Sequence, residues 1–192
     1  MAAEALEKGQ AKVDNFSRRW SCLLALLAGF ASGDVCHGAD TAVDREAQMA
    51  AAYVFNFVKF VEWPRNAAVQ TMQVCFIGAA EVREALAAAT ADKVVGARPV
   101  TVKDASKPSS VGDCQVIYID SSMRGIAVPS QPGALTIGDH KDFTREGGVI
   151  RLYTENNRLR FTVNVDNAKR SGLQVSSNLL QLATNVEQVK AP

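Results

Sequence analysis

Gln73-Val-Cys-Phe-Ile77 and, further along the chain, Gln115-Val-Ile-Tyr-Ile119 are the apolar stretches that decide the fold. Both are short and rich in β-branched or aromatic residues, which predicts strands buried on both faces. Between them, Glu81 to Ala89 predicts an Ala-rich helix and Val100 to Lys103 predicts another strand. Ala134 to Ile137 predicts a further strand downstream. This alternation of strands and helices is typical of a wound, mostly parallel sheet.

The pattern changes near the carboxyl end of the chain. Residues 149–154 and 158–163 alternate apolar with polar side chains, and Glu155-Asn156-Asn157 separates them. Asparagine tolerates positive φ, so these segments predict a β-hairpin. We therefore predict a single α/β domain with a mostly parallel twisted sheet, an antiparallel edge hairpin and helices on both faces.

Four helical segments complete the prediction. Residues 41–62 carry a wide apolar face and end at Trp63-Pro64, because the residue before proline is disfavoured in the α region. Asp139 is predicted to cap a short segment that begins at His140. Residues 164–170 predict a short helix with Asn164 at its N-cap and Gly172 just beyond its end. A last amphipathic helix is predicted to start at Ser176 or Ser177 and to extend to Val186.

The first 39 residues have the composition of an export signal. Arg18 and Arg19 precede an apolar run from Trp20 to Ala31, which is too short to span a bilayer. We predict a signal peptide over residues 1–39, a mature domain over residues 40–192 and a periplasmic location. The cleavage point is open, since Ala39 and Gly33 are both candidates for the last residue removed.

Cleavage after Ala39 leaves two cysteines, Cys75 and Cys114. An even pair in an oxidising compartment favours a disulfide between two strands, and a pair of buried reduced thiols is the alternative.

The mature chain shows no catalytic constellation. His140 is its single histidine, no Gly-x-Ser-x-Gly motif accompanies it, and the remaining ligands are too few for zinc. We therefore expect no enzyme activity, metal or cofactor. The 21 basic and 20 acidic residues nearly balance, so we expect no nucleic-acid partner.

Two surfaces remain candidates for binding, and these are an anion-binding hairpin face and an aromatic partner-binding surface. The residues concerned are Arg151, Arg158 and Arg160 for the anion, and Phe55, Phe57 and Trp63 for the partner.

Tyr53-Val-Phe-Asn-Phe-Val-Lys-Phe-Val-Glu-Trp-Pro64 resembles the opening signature of the YfiR-like periplasmic proteins. Four later segments are similar to that family in order and spacing, and the resemblance runs from about residue 46 to residue 186. They are residues 137–143, 147–150, 157–164, and 168–173 with Leu179-Leu180.

The resemblance implies regulation. Similar proteins are dimeric periplasmic repressors that bind the periplasmic sensor region of an inner-membrane diguanylate cyclase and lower cyclic-di-GMP output, which connects them to biofilm control. An outer-membrane lipoprotein can sequester such a repressor. Cys75 and Cys114 occupy the position of one family disulfide, whereas a second pair expected near the hairpin is absent. The alternative function is a periplasmic small-molecule-binding protein of a sensor or transport system, with its pocket at the carboxyl ends of the parallel strands.

Overall fold

A computed structural model describes residues 42–63, 70–123 and 125–188 of the 192-residue chain. Four helices are present in these ranges: α1 (Ala42–Phe60), α2 (Ala80–Thr90), α3 (Val165–Arg170) and α4 (Ser177–Leu182). None of these helices is long and apolar enough to cross a membrane. The predicted signal peptide lies outside the described residues. Ten strands are described: β1 (Val61–Glu62), β2 (Met72–Ile77), β3 (Val94–Val95), β4 (Arg98–Asp104), β5 (Val116–Ile119), β6 (Leu135–Gly138), β7 (Ile150–Glu155), β8 (Arg158–Asn164), β9 (Gln174–Val175) and β10 (Asn185–Glu187).

Eight of these strands form one sheet in the order β10-β8-β7-β6-β5-β2-β4-β3. The pairs β4–β2, β2–β5, β5–β6 and β6–β7 are parallel, whereas β7–β8 and β3–β4 are antiparallel. The predicted fold class, a mostly parallel α/β sheet with an antiparallel pair towards its edge, is confirmed. The chain passes from β2 to its neighbour β4 and then returns to the other side of β2 at β5. This reversal creates a topological switch point between β2 and β5.

The two faces of the sheet are covered differently. On one face, α1, Leu86 of α2 and Leu179 of α4 pack over Phe76, Tyr118 and other strand residues in the larger core. On the other face, a smaller core joins strand residues such as Ile117 to Val111 and Phe143, which lie in turns and loops, so the prediction of helices on both faces is wrong for this face. The segment at residues 105–112 contains one 3-10 turn (Pro108–Ser110), and its Ala105 and Val111 side chains pack into this smaller core.

Helix α1 ends earlier than its apolar pattern predicts. Residues 61 and 62 leave the helix and pair antiparallel with Val175 and Gln174. The backbone N–H of Ser176 donates to the carbonyl of Phe60, which fixes this exit. The predicted helix end at Trp63-Pro64 is therefore wrong, because a short tertiary strand pair replaces the last helical turn.

The hairpin and the helix after it follow the sequence closely. Asn156 and Asn157 have φ values of 50° and 58°, as a primed two-residue turn requires. The Asn164 side chain accepts a hydrogen bond from the backbone N–H of Asn167 and so caps α3. Gly172, with φ of 74°, lies just beyond the end of α3 and donates to the carbonyl of Lys169. These predicted turn and cap residues are confirmed.

The last predicted helix is too long. Ser176 caps α4 by accepting from the N–H of Leu179, as predicted, but the helix ends at Leu182. The N–H of Thr184 then donates to the carbonyl of Phe161, and residues 185–187 form β10 parallel to β8. Val186 therefore belongs to a strand, because the free edge of β8 offers backbone hydrogen bonds that outweigh local helical periodicity.

The segment between β6 and β7 forms turns in place of the predicted short helix. Residues 141–147 are in turn conformation, and the Asp139 carboxylate accepts from the Ser121 hydroxyl at 3.1 Å instead of capping a helix. The Phe143 ring lies over Gly138 and Gly148, where an added Cβ would come within 2.5 and 2.2 Å of it, respectively. Both glycines are therefore needed so that the ring can pack against the backbone.

Candidate functional site

A disulfide joins Cys75 in β2 to Cys114, two residues before β5, with a Cα–Cα distance of 6.0 Å. Both half-cystines are buried in the smaller core, at 1% and 3% exposure. The bond staples the two strands that flank the switch point, and the predicted pairing of these cysteines is present in the structure.

The predicted aromatic partner surface divides into buried and accessible members. Phe57 is 1% exposed and packs against Phe161 at 5.0 Å between ring centroids, so it belongs to the core and is not available to a partner. Phe55 is half-buried, and Lys59 Nζ lies 4.2 Å from its ring centroid. Trp63 is also half-buried, and its indole N–H has no hydrogen-bond partner although the nitrogen is inaccessible to solvent.

The three predicted anion-binding arginines share one face of the hairpin. In the antiparallel register, Arg151, Arg158 and Arg160 occupy positions of the same parity, opposite Thr162, Glu155 and Tyr153 respectively. The Arg151 guanidinium stacks at 4.2 Å over the Tyr153 ring. The Nε atoms of Arg151 and Arg160 are buried without a hydrogen-bond partner. The structure thus brings the trio together, and anion binding there stays a prediction.

A cavity of about 800 Å³ lies at the amino ends of the parallel strands. Trp63 lines it, together with residues that precede or begin strands β2, β4, β5 and β6. Arg98, Lys169 and Arg170 supply positive charge, and Asp113 is the single carboxylate among the lining residues. The alternative function predicted from the sequence placed its pocket at the opposite, carboxyl edge.

The carboxyl edge also contains a cavity, of about 360 Å³, beside the switch point. Asp120 follows β5, Asp139 follows β6, and Glu81 lies in the first turn of α2, which follows β2. Glu46 of α1 completes the set of four carboxylates around the cavity, and its Oε1 accepts from the Thr154 hydroxyl at 2.6 Å.

Burial and mutual repulsion dominate the electrostatics of this carboxyl-edge cavity. Burial, and secondarily the charge of Asp120, raises the pKa of the Asp139 carboxyl above its ordinary range, against the opposing effect of the Ser121 hydrogen bond. Burial, together with the nearby charges of Asp139, Asp120 and Glu46, also raises the pKa of the Tyr118 phenol. The phenol therefore stays neutral and can donate a hydrogen bond.

His140 and Ser121 do not combine into a catalytic pair. His140 Nδ1 lies 3.8 Å from Glu146 Oε2, whereas Ser121 donates to Asp139. Within residues 42–63, 70–123 and 125–188, no group of three or more His, Cys, Asp or Glu side chains is arranged to hold a metal ion.

The carboxyl-edge cluster is the feature that the sequence interpretation missed. Its signal is present in the sequence, since Asp120 directly follows the apolar run ending at Ile119, and Asp139 follows Ile137-Gly138. Carboxyl ends of parallel strands meet at one edge, so the two aspartates could have been placed together. Glu46 and Glu81 join them only because α1 and α2 pack on the same face, which no local pattern shows.

The comparison with protein families agrees with the resemblance seen in the sequence. A model of the family described as YfiR/HmsC-like matches residues 47–184. Among solved structures, a conserved domain protein from Vibrio cholerae O1 biovar El Tor strain N16961 is similar at 13% identity and a TM-score of 0.46. The ABC domain in complex with L-Trp from Streptococcus pneumonia is similar at 10% identity and a TM-score of 0.47. The matches cover 72% and 73% of this chain and 60% of each of those chains.

Proposed function

Because the chain belongs to the YfiR/HmsC-like family, we propose that it represses an inner-membrane diguanylate cyclase by binding the periplasmic sensor region of that enzyme. The family is one of periplasmic regulators, not of catalysts. The observation that carries the proposal is the family match over residues 47–184, which includes most of α1, the other three helices and nine of the ten strands described. Repression then requires that the adaptor bind the inactive state of the cyclase more tightly than the active one.

Two accessible aromatic residues support a docking role. Phe55 and Trp63 are half-buried, so each exposes part of an aromatic ring while the rest packs on the core. Partly exposed aromatic rings are enriched among the residues that dominate protein–protein binding energy. The buried indole nitrogen of Trp63 faces away from solvent, so this residue would contribute apolar ring surface to the contact. Phe57 has no place in this surface because it is buried.

The remaining parts of the proposal follow from the family. The chain is exported through the signal peptide of residues 1–39, acts as a homodimer, and is released from the cyclase when an outer-membrane lipoprotein sequesters it. With Cys75 and Cys114 as the cysteines of the mature domain, the disulfide acts as a structural staple.

A pull-down tests the proposal. The tagged protein is incubated with detergent-solubilised envelopes of the same bacterium, with and without reductant, and the captured proteins are identified by mass spectrometry. We expect capture of a membrane protein with a diguanylate cyclase domain, and loss of that capture in Trp63→Ala. Glu84→Ala is the matched surface control, because Glu84 is exposed on α2. Recovery of the protein alone would contradict the proposal.

A second candidate function is the binding of a small molecule. The cavity at the amino edge favours it, because about 800 Å³ is ample for a metabolite. Arg98, Lys169 and Arg170 would select an anionic ligand. A thermal-shift screen of small carboxylates separates the two functions. A small-molecule-binding protein should show a rise in melting temperature that is lost when Arg98, Lys169 or Arg170 is replaced, whereas an adaptor without a ligand should show no such rise.

A further inference from the structure

The carboxyl-edge cavity collects negative charge without any balancing cation. Glu46, Glu81, Asp120 and Asp139 line it, and no lysine, arginine or histidine is among its lining residues. Like charges at short range repel one another and cost stability unless something compensates them. This arrangement is maintained at the switch point of the sheet, where ligands of open α/β folds bind.

Two polar side-chain atoms of residues that line the cavity have no hydrogen-bond partner among the described residues. Tyr118 is 4% exposed and lines the cavity, and none of the hydrogen bonds in the described part of the chain involves its hydroxyl. Asp139 Oδ1 is buried and also has no hydrogen-bond partner, although Oδ2 accepts from Ser121. Buried polar groups without partners are rare in folded proteins, and a ligand is one common reason for them.

The apolar part of the cavity wall limits what the ligand can be. Leu152, Leu159, Val82, Ala47 and Ala50 line the space beside the carboxylates. The carboxylates are not gathered closely enough to coordinate a metal ion within the described residues. A cation with its own hydrocarbon portion satisfies both features, since its charge meets the carboxylates and its carbon atoms meet the apolar wall.

We propose that the carboxyl-edge cavity binds a small organic ammonium ion. The ammonium group meets the negative charge of Asp139 and Asp120 beside the Tyr118 hydroxyl, and the hydrocarbon part packs against Leu152 and Leu159. Glu46 and Glu81 lie at the exposed rim, where they attract the cation electrostatically. The site does not depend on binding to a cyclase, and it lies at the opposite edge of the sheet from the Trp63 cavity.

Isothermal titration calorimetry of the full chain tests the proposal, with 2-phenylethylammonium and 1,4-butanediammonium as probes. The neutral alcohol 2-phenylethanol has nearly the shape of the first probe and serves as the ligand control. The protein variants are Glu81→Gln and Asp139→Asn. Glu84→Gln is the matched control, because Glu84 lies one turn along the same helix and does not line the cavity.

We expect saturable binding of at least one ammonium probe and none of the alcohol. Removing one carboxylate charge should weaken that binding at least about fivefold in Glu81→Gln and Asp139→Asn, and less than about twofold in Glu84→Gln. Glu81 is exposed, so its substitution separates loss of binding from loss of folding. Absence of binding by both probes at millimolar concentration, or equal weakening in all three variants, would overturn the proposal. The calorimetry and the cyclase pull-down have independent outcomes, so failure of the ammonium site is distinguishable from failure of the proposed function.

Discussion

Opening the disulfide between Cys75 and Cys114 should remove a large part of the stability of the domain. The bond closes a loop with a sequence separation of 39 residues. In the chain-entropy model, a loop of this length contributes about 4 kcal/mol at 25 °C, since the open unfolded chain gains that much conformational freedom. A domain of ordinary stability has about 5–15 kcal/mol in total, so the reduced protein should keep only about 1–11 kcal/mol.

Urea unfolding followed by circular dichroism measures this loss in three forms: the oxidised protein, the reduced protein, and Cys75→Ala/Cys114→Ala. The reduced protein isolates the cross-link, because both sulfur atoms remain in the smaller core. The double variant should lose more, because it also leaves space around two buried positions. A free energy of unfolding that differs by less than about 1 kcal/mol between the oxidised and reduced proteins would refute the argument that the loop dominates.

Four further substitutions have defined outcomes. Phe57→Ala should lower the free energy of unfolding by about 3–5 kcal/mol in urea titrations, because the ring fills the larger core; a loss below about 1 kcal/mol would contradict that placement. Phe55→Glu should leave the fold intact by circular dichroism and weaken self-association or capture of the cyclase; unfolding would instead place Phe55 in the core. Asn167→Ala should cost about 1–3 kcal/mol, because its side chain donates to the carbonyls of Thr144 and Gly148; an unchanged urea midpoint would argue against these bonds. In the wild type, the Asp139 carboxyl has a higher pKa in the folded chain than its ordinary value of 3.8 in the unfolded chain, so ionising it costs more in the folded state. Asp139→Asn removes this cost, and its stability relative to the wild type should therefore rise as the pH increases from 3.8 through the raised pKa of the folded state. A stability difference that is the same at pH 3 and pH 7.5 would contradict the last expectation.

Most of the strands and turns were predictable, because their local sequence preference agrees with their burial in the folded chain. The strand residues around Cys75 and Ile117 are apolar on both faces because they lie in the middle of the sheet. Asn156 and Asn157 mark the hairpin turn because their backbone tolerates positive φ. The errors fall where a short segment obtains its hydrogen bonds from a distant strand. Val186 is the clearest example, because its partner Val163 is remote in sequence.

The binding residues were less predictable than the fold. Aromatic spacing could not separate Phe57 from Phe55, because both lie on a helix that is apolar around most of its circumference. Burial in the folded chain separates them, since Phe57 meets Phe161 of the hairpin. Asp120 and Asp139 could be placed from the rule for parallel strands, whereas the unpartnered Tyr118 hydroxyl depends on packing that no sequence pattern contains.

We propose that this protein lowers the output of a membrane diguanylate cyclase. The most direct measurement is the cellular concentration of cyclic-di-GMP in the native bacterium, by mass spectrometry, after deletion of the gene and after its restoration. The account predicts that deletion raises the nucleotide several-fold, that the wild-type gene restores the low concentration, and that Trp63→Ala does not restore it although the protein is present. An unchanged concentration on deletion, while the cyclase is expressed, would contradict the account.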